Sequence, residues 1–219
     1  MSRVAVRRSR RCAHVLLVSL IALTMASCGG WTDQEPSSDP PTGGPLVVGG
    51  GYGGHVVLPA AQHGGGKAVF GGLLLCTSNG EPATIRAVTF DSEVSSASVR
   101  GVLRKIPPTA ERNDDPESIS WNPIIALRGD LDGRRVRRQM QGDVLDEVEG
   151  QVVDDECGPR RPGEALTELL VAVEAGRPGA SVRAETVEYE AGGREYSVRV
   201  RWWFVICGDE VADDSCSSM

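Results

Sequence analysis

Residues 187–207 read VEYEAGGREYSVRVRWWFVIC, and the fold follows from them. Tyr196, Val198, Val200, Trp202, Phe204 and Ile206 place an apolar side chain at every second position, the period at which a strand shows one face to a core. The intervening residues begin polar (Ser197, Arg199, Arg201) and end apolar (Trp203, Val205), so the spacing predicts one uninterrupted strand, half-exposed at its start and buried on both faces at its end. Gly192-Gly193 supplies the positive φ of a two-residue hairpin turn. Pairing about that turn sets Tyr189 opposite Tyr196 and Val187 opposite Val198, so both arms offer apolar residues to the same core. It also sets Glu190 against Glu195, a like-charge conflict.

Outward from this hairpin the chain continues in short apolar or alternating runs. Leu73–Cys76, Thr84–Phe90 and Val94–Leu103 are separated by turn clusters such as Ser78-Asn79-Gly80, and each is expected to be a strand. Ala165–Ala175 fits two periods: Leu166, Leu169, Leu170 and Val173 at helical spacing, or Leu169, Val171 and Val173 in alternation. Its shortness, the Gly176 stop and the strand neighbours favour strand. Residues 107–116 are a polar loop. Ile119–Leu127 turns apolar again around Trp121, with Pro123 excluding a regular central strand. Seven or so short strands with few credible helices make the fold class mainly β, an antiparallel β-sandwich. Upstream, residues 43–72 hold 12 of the 27 glycines, interrupted by Leu46-Val47-Val48, His55–Leu58 and Ala68–Phe70. This stretch reads as weakly specified edge strands or an extended arm.

The N-terminus gives an address. Residues 1–14 carry five arginines and no acid, and Val15–Ala26 is a run of twelve uncharged residues. About 20 residues are needed to span a bilayer as a helix, so this run is a secretory signal core instead. It ends in Met25-Ala26-Ser27-Cys28, which resembles the lipobox of bacterial lipoproteins: an apolar residue, two small ones, then the cysteine whose sulfur takes the diacylglycerol. Met25 stands where that family usually has Leu. Ser9-Arg10-Arg11 leaves both Sec and twin-arginine export open. The expected organisation is a signal peptide over 1–27, a lipid-anchored flexible tether over 28–45, a Gly-rich arm over 46–67, the sandwich over 68–208 and an acidic tail over 209–219. The tether, rich in Pro, Gly, Ser and Asp, lacks the apolar area to offset its ordering entropy.

Removal of the first 27 residues leaves 18 Lys+Arg against 30 Asp+Glu, a net charge of −12. Such a chain repels phosphate backbones, so nucleic acid is not an expected partner. Cys12 in the signal and Cys28 at the anchor leave Cys76, Cys157, Cys207 and Cys216, an even set suited to two disulfides in an oxidising compartment. Cys76 and Cys207 end apolar runs, whereas Cys157 and Cys216 sit among Asp154, Asp155, Glu156, Asp213 and Asp214. Pairing like environments predicts Cys76 with Cys207 and Cys157 with Cys216. The rival is a local Cys207–Cys216 bridge, which leaves Cys76 with Cys157.

An apolar strand ending in Cys76, a Thr84–Val88 strand, Cys157 in a loop and a Tyr–Gly-Gly–Tyr hairpin running to Cys207 together resemble secreted lipoproteins of high-GC Gram-positive bacteria, over residues 68–208. The resemblance implies an immunoglobulin-like sandwich on the extracytoplasmic face of the cell membrane. It brings no activity with it.

The remaining motifs carry little chemistry. Gly49, Gly51 and Gly54 satisfy GxGxxG, yet His55-Val56-Val57-Leu58-Pro59 follows in place of the helix that a dinucleotide phosphate needs. His55 and His63 are suited to copper or zinc but have no third ligand at a recognisable spacing, so they read as solvated loop residues and no metal or other cofactor is expected. Arg134, Arg135, Arg137 and Arg138 are suited to an anionic lipid or a wall polymer; alternatively they pair, across a hairpin at Gln141-Gly142, with Asp143, Asp146, Glu147 and Glu149. The acidic pairs Asp114-Asp115, Asp154-Asp155 and Asp213-Asp214 read as solvated loops. With no GxSxG, HExxH or supported Cys/His pair, no catalytic residue is assigned and the protein is not expected to be an enzyme. The functional expectation is a non-catalytic binding or scaffolding module of the envelope, contacting the membrane through its anchor and an envelope protein or wall polymer through its body. The alternative is an envelope hydrolase with a dispersed site.

Overall fold

A computed structural model of the 219-residue chain describes residues 44–49, 53–60, 66–94, 98–107, 124–158, 165–211 and 213–217. Twelve strands and two short helices follow one another as β1 (Leu46–Val48), β2 (Gly54–Leu58), β3 (Gly66–Thr77), β4 (Ala83–Val94), β5 (Ser98–Ile106), β6 (Ala126–Arg128), α1 (Arg134–Gln139), β7 (Asp143–Leu145), β8 (Val152–Val153), β9 (Leu166–Ala175), β10 (Ala180–Ala191), β11 (Arg194–Val200), β12 (Trp202–Ile206) and α2 (Asp214–Ser217). The first sheet runs β1-β3-β9-β5-β7, with β6 also on β3. The second runs β2-β12-β10-β4-β8, with β11 also on β10. The two pack face to face as a β-sandwich.

The core between them is built by alternation. Phe70, Leu73, Leu75, Leu169, Val171 and Val173 from the first sheet meet Val182, Val187, Tyr189, Val200, Phe204 and Ile206 from the second. Each such aliphatic side chain contributes about 1.5–3 kcal/mol on full burial. Ala165–Ala175 is thus a strand, and the even positions of β9 explain its continuous apolar character. Leu170 and Ala172 face the other way and pack, with Val69 and Val102, under Ile124, Leu127, Leu131, Val136 and Met140. The first sheet is therefore covered on both faces.

The hairpin forms in the predicted register, Tyr189 opposite Tyr196 and Val187 opposite Val198. Gly192 and Gly193 turn it with φ of 56° and 72°. Glu190 does face Glu195, and Arg86 from β4 relieves the conflict by pairing with Glu190. The predicted single strand to Ile206 is corrected in one respect: it divides at Arg201 into β11 and β12. Beside that break β10 carries a bulge between Val182 and Ala184, and the residues opposite it slip by one position. The apolar face survives because Val200 and Trp202, either side of the break, both turn to the core.

Four other expectations are revised. The sheets are not wholly antiparallel, since β2 joins β12 in parallel. Gly54 in that pair lies opposite Trp202, and a Cβ there would come within 2.6 Å of the indole. Val94 closes β4 and Ser98–Ile106 forms β5, so Val94–Leu103 is not one strand. Arg134–Gln139 is a helix seated by Val136 rather than a hairpin arm, and Asp143–Leu145 pairs with β5. The acidic tail folds back as α2. The signal segment, the lipobox with Cys28, the tether to residue 43, His63 and Trp121 lie outside the described residues.

Candidate functional site

Three side chains stand in a row on the outer face of the second sheet, one each from β2, β12 and β10. Because Trp202, Phe204 and Ile206 turn inward, Trp203 turns out. His55 lies directly opposite it, with the two rings stacked at 4.1 Å between centroids and 13° between planes. From the strand on the other side, the Arg183 guanidinium lies 4.5 Å from the indole centroid, a contact worth about 0.5–1 kcal/mol at an exposed site. The indole N–H donates to Ser181 Oγ at 2.9 Å.

A carboxylate closes each end of the row. Glu93 on β4 holds Arg183 Nε at 2.7 Å. At the other end Asp213 Oδ2 lies 2.9 Å from His55 Nε2, with the Asp213 side chain 3% exposed and that of His55 37%. Desolvation pushes the Asp213 carboxyl up, but the Ser215 backbone N–H and side chain together with His55 outweigh it and hold the group below the usual carboxylate range. The Ser215 N–H bond measures 2.8 Å.

The tail reaches this place because of parity along β12. Cys207 shares the outward side with Trp203 and Val205, and it bonds to Cys216. Asp209 and Glu210 donate their N–H groups to the carbonyls of Arg177 and Pro178 at 3.1 and 3.0 Å, laying the segment over the β9–β10 turn. The second cross-link joins Cys76 to Cys157. The pairing of Cys76 with Cys207 and of Cys157 with Cys216 is therefore corrected in favour of the rival. Leu73 and Leu75 face the core, which turns Cys76 outward on the first sheet while Cys207 points outward on the second; two cysteines on opposite outer faces cannot meet through the core. The two disulfides fit an oxidising, extracytoplasmic compartment, and no helix among the described residues is long and apolar enough to cross a membrane.

Two further expectations change here. His55 is a strand residue in contact with a carboxylate, not a loop residue, and Asp213 is buried. No group of three or more potential metal ligands occurs among the described residues. The arginine cluster is split by function: Arg137 joins Asp132 at 2.8 Å and Asp146 at 3.6 Å, while Arg134, Arg135 and Arg138 are exposed. A cleft of about 520 Å³ at the hairpin end is lined by Arg86, Glu188, Tyr189, Glu195, Tyr196 and Ser197, a set without histidine or cysteine.

Ser215 bonds the Asp213 carboxylate through its backbone N–H and its side chain. The row offers an aromatic flanked by a cation and an imidazole, with Arg183 and His55 exposed and Trp203 partly exposed. The role of Trp203 and Arg183 in this row was missed in the sequence, although the outward parity of Trp203 beside Arg199 and Arg201 was its signal. No known protein family and no curated protein matches the chain.

Proposed function

We propose that the protein is a lipid-anchored, extracytoplasmic binding module of immunoglobulin-like type, non-catalytic, whose contact surface is the outer face of the second sheet. The observation that carries this reading is the Arg183–Trp203–His55 row. The described first sheet is covered on both sides, so the second sheet supplies the more open outer face. Tryptophan and arginine are the residues most enriched where binding energy concentrates. Gly44 lies beside Tyr189 and Tyr196, where a Cβ would meet the Tyr189 hydroxyl and the Tyr196 ring. The row sits at the other end of β10, about seven residues or some 23 Å away at strand rise. The partner class is an envelope protein or wall polymer.

Crosslinking on intact cells, followed by identification of the captured partner, tests the binding role. Trp203→Ala is expected to lower the yield about tenfold with the sheet signal in circular dichroism retained; an undiminished yield contradicts the assignment. The anchor has its own test. Cys28→Ser is expected to abolish detergent-phase partitioning and to leave the protein unprocessed or released, since each buried CH₂ of the acyl chains is worth about 0.8 kcal/mol. Unchanged partitioning and unchanged mature mass refute the anchor while leaving the binding face untouched.

A further inference from the structure

The geometry points to the Cys207–Cys216 bridge as a redox latch on the candidate site: its reduction releases the tail, withdraws Asp213 from His55 and bares the imidazole end of the row while the sandwich stays folded. The two cross-links have unlike tasks. Cys76–Cys157 spans 81 residues and ties β3 to the segment before β9, whereas Cys207–Cys216 spans 9 and restrains only the chain after β12. A bridge closing the longer loop constrains the unfolded chain more, so the long one belongs to the fold and the short one to the tail. Backbone bonds to the β9–β10 turn and the Asp213–His55 contact add to that bridge in holding the described tail. α2, at four residues, is too short to persist alone.

The tail also packs at the edge of the site, with α2 against β2 and Asp213 on His55. Cys207 is 4% exposed while Cys216 is only half-buried, so Cys216 is the sulfur an external thiolate reaches. The step balances with a dithiol as reductant. Its thiolate attacks the Cys216 sulfur, the Cys207–Cys216 bond breaks and Cys207 leaves as a thiolate that takes up a proton. The second thiol then displaces Cys216, and two electrons have passed from the dithiol to the bridge. The consequence for binding rests on the proposed role of the row; the latch itself does not.

The test uses the full chain titrated with dithiothreitol, with iodoacetamide and diethylpyrocarbonate modification mapped by mass spectrometry. Cys207 and Cys216 are expected to be alkylated at least tenfold faster than Cys76 and Cys157, with sheet circular dichroism unchanged and the carbethoxylation rate of His55 raised at least fivefold. A Cys207→Ser, Cys216→Ser double variant should show the raised His55 rate without reductant. Asp213→Asn should raise it with the bridge intact, separating the carboxylate from the tether. Alkylation of all four cysteines together with loss of sheet signal, or reduction of the short bridge with an unchanged His55 rate, overturns the latch. A failure of Trp203→Ala to affect crosslinking would refute the binding face and leave these rates as they are.

Discussion

At pH 7 the Glu185→Met variant is expected to be about 3 kcal/mol more stable than the natural chain, with most of that gain gone at acid pH. Glu185 sits inside the sandwich, 1% exposed, opposite Phe90 on β4 and Val200 on β11. Neither carboxyl oxygen has a hydrogen-bond partner. The bulge in β10 is what sends it inward, because Val182 and Glu185, three apart, then share a face. Desolvation raises its pKa from 4.5 to about 8. For an acid raised in the folded state, the stability contribution is complete below the unfolded value and is lost as pH rises through the folded one. At 1.36 kcal/mol per unit, the deficit is about 3 kcal/mol at pH 7 and approaches about 5 kcal/mol above pH 8. Urea unfolding midpoints at about pH 4, 7 and 9 check this. A Glu185→Gln chain should lose the pH dependence, and a natural chain whose stability is flat between pH 5 and 8 would refute the assignment.

The second large effect concerns the opposite face of the first sheet, where Arg104 and Glu168 pair across β5 and β9 at 2.5 Å with neither side chain exposed. Glu168 Oε1 also accepts the N–H groups of Gly72 at 2.8 Å and Ile124 at 2.9 Å, pinning the covering segment to the sheet. Burial pushes the Glu168 carboxyl up and the Arg104 guanidinium down; their mutual attraction opposes both shifts, and the two N–H donors oppose that of Glu168. Removing one member strands the other, so Glu168→Ala should cost about 3–5 kcal/mol. Replacing both, as Glu168→Leu with Arg104→Met, should recover most of the loss. Equal destabilisation by the single and double changes, measured by chemical denaturation, would show that packing and not charge sets the cost.

Local pattern made the strands legible and parity made most of their faces legible. The register of the Val187–Val198 hairpin follows from two glycines and a period of two, both properties of adjacent residues. The bulge at Val182–Ala184 does not, because its need arises from β4 and from the C-terminal strands on either side of β10. That is why the local period predicts an unbroken strand through Arg201 and carries no sign that Glu185 turns inward. The cysteine pairing was within reach: Cys76 alternates with Leu75, and Cys207 with Ile206, so both point away from the core. Matching chemical surroundings was the weaker guide, since the acidic residues around Cys216 include Asp213, which is buried by its contact with His55. That contact joins residues 158 positions apart in the chain, and no spacing rule encodes it. The parallel placement of β2 beside β12 is equally non-local.

Whether a partner docks on the face carrying Trp203 is decided by position-specific photo-crosslinking on intact cells. One probe replaces Asp91, exposed on that face and paired there with Arg199; the control replaces Arg138, exposed on α1 over the other sheet. A discrete crosslinked species is expected from position 91, lost when Trp203→Ala is added, and none from position 138. The same species from both positions, or one from position 138 alone, would contradict docking on that face.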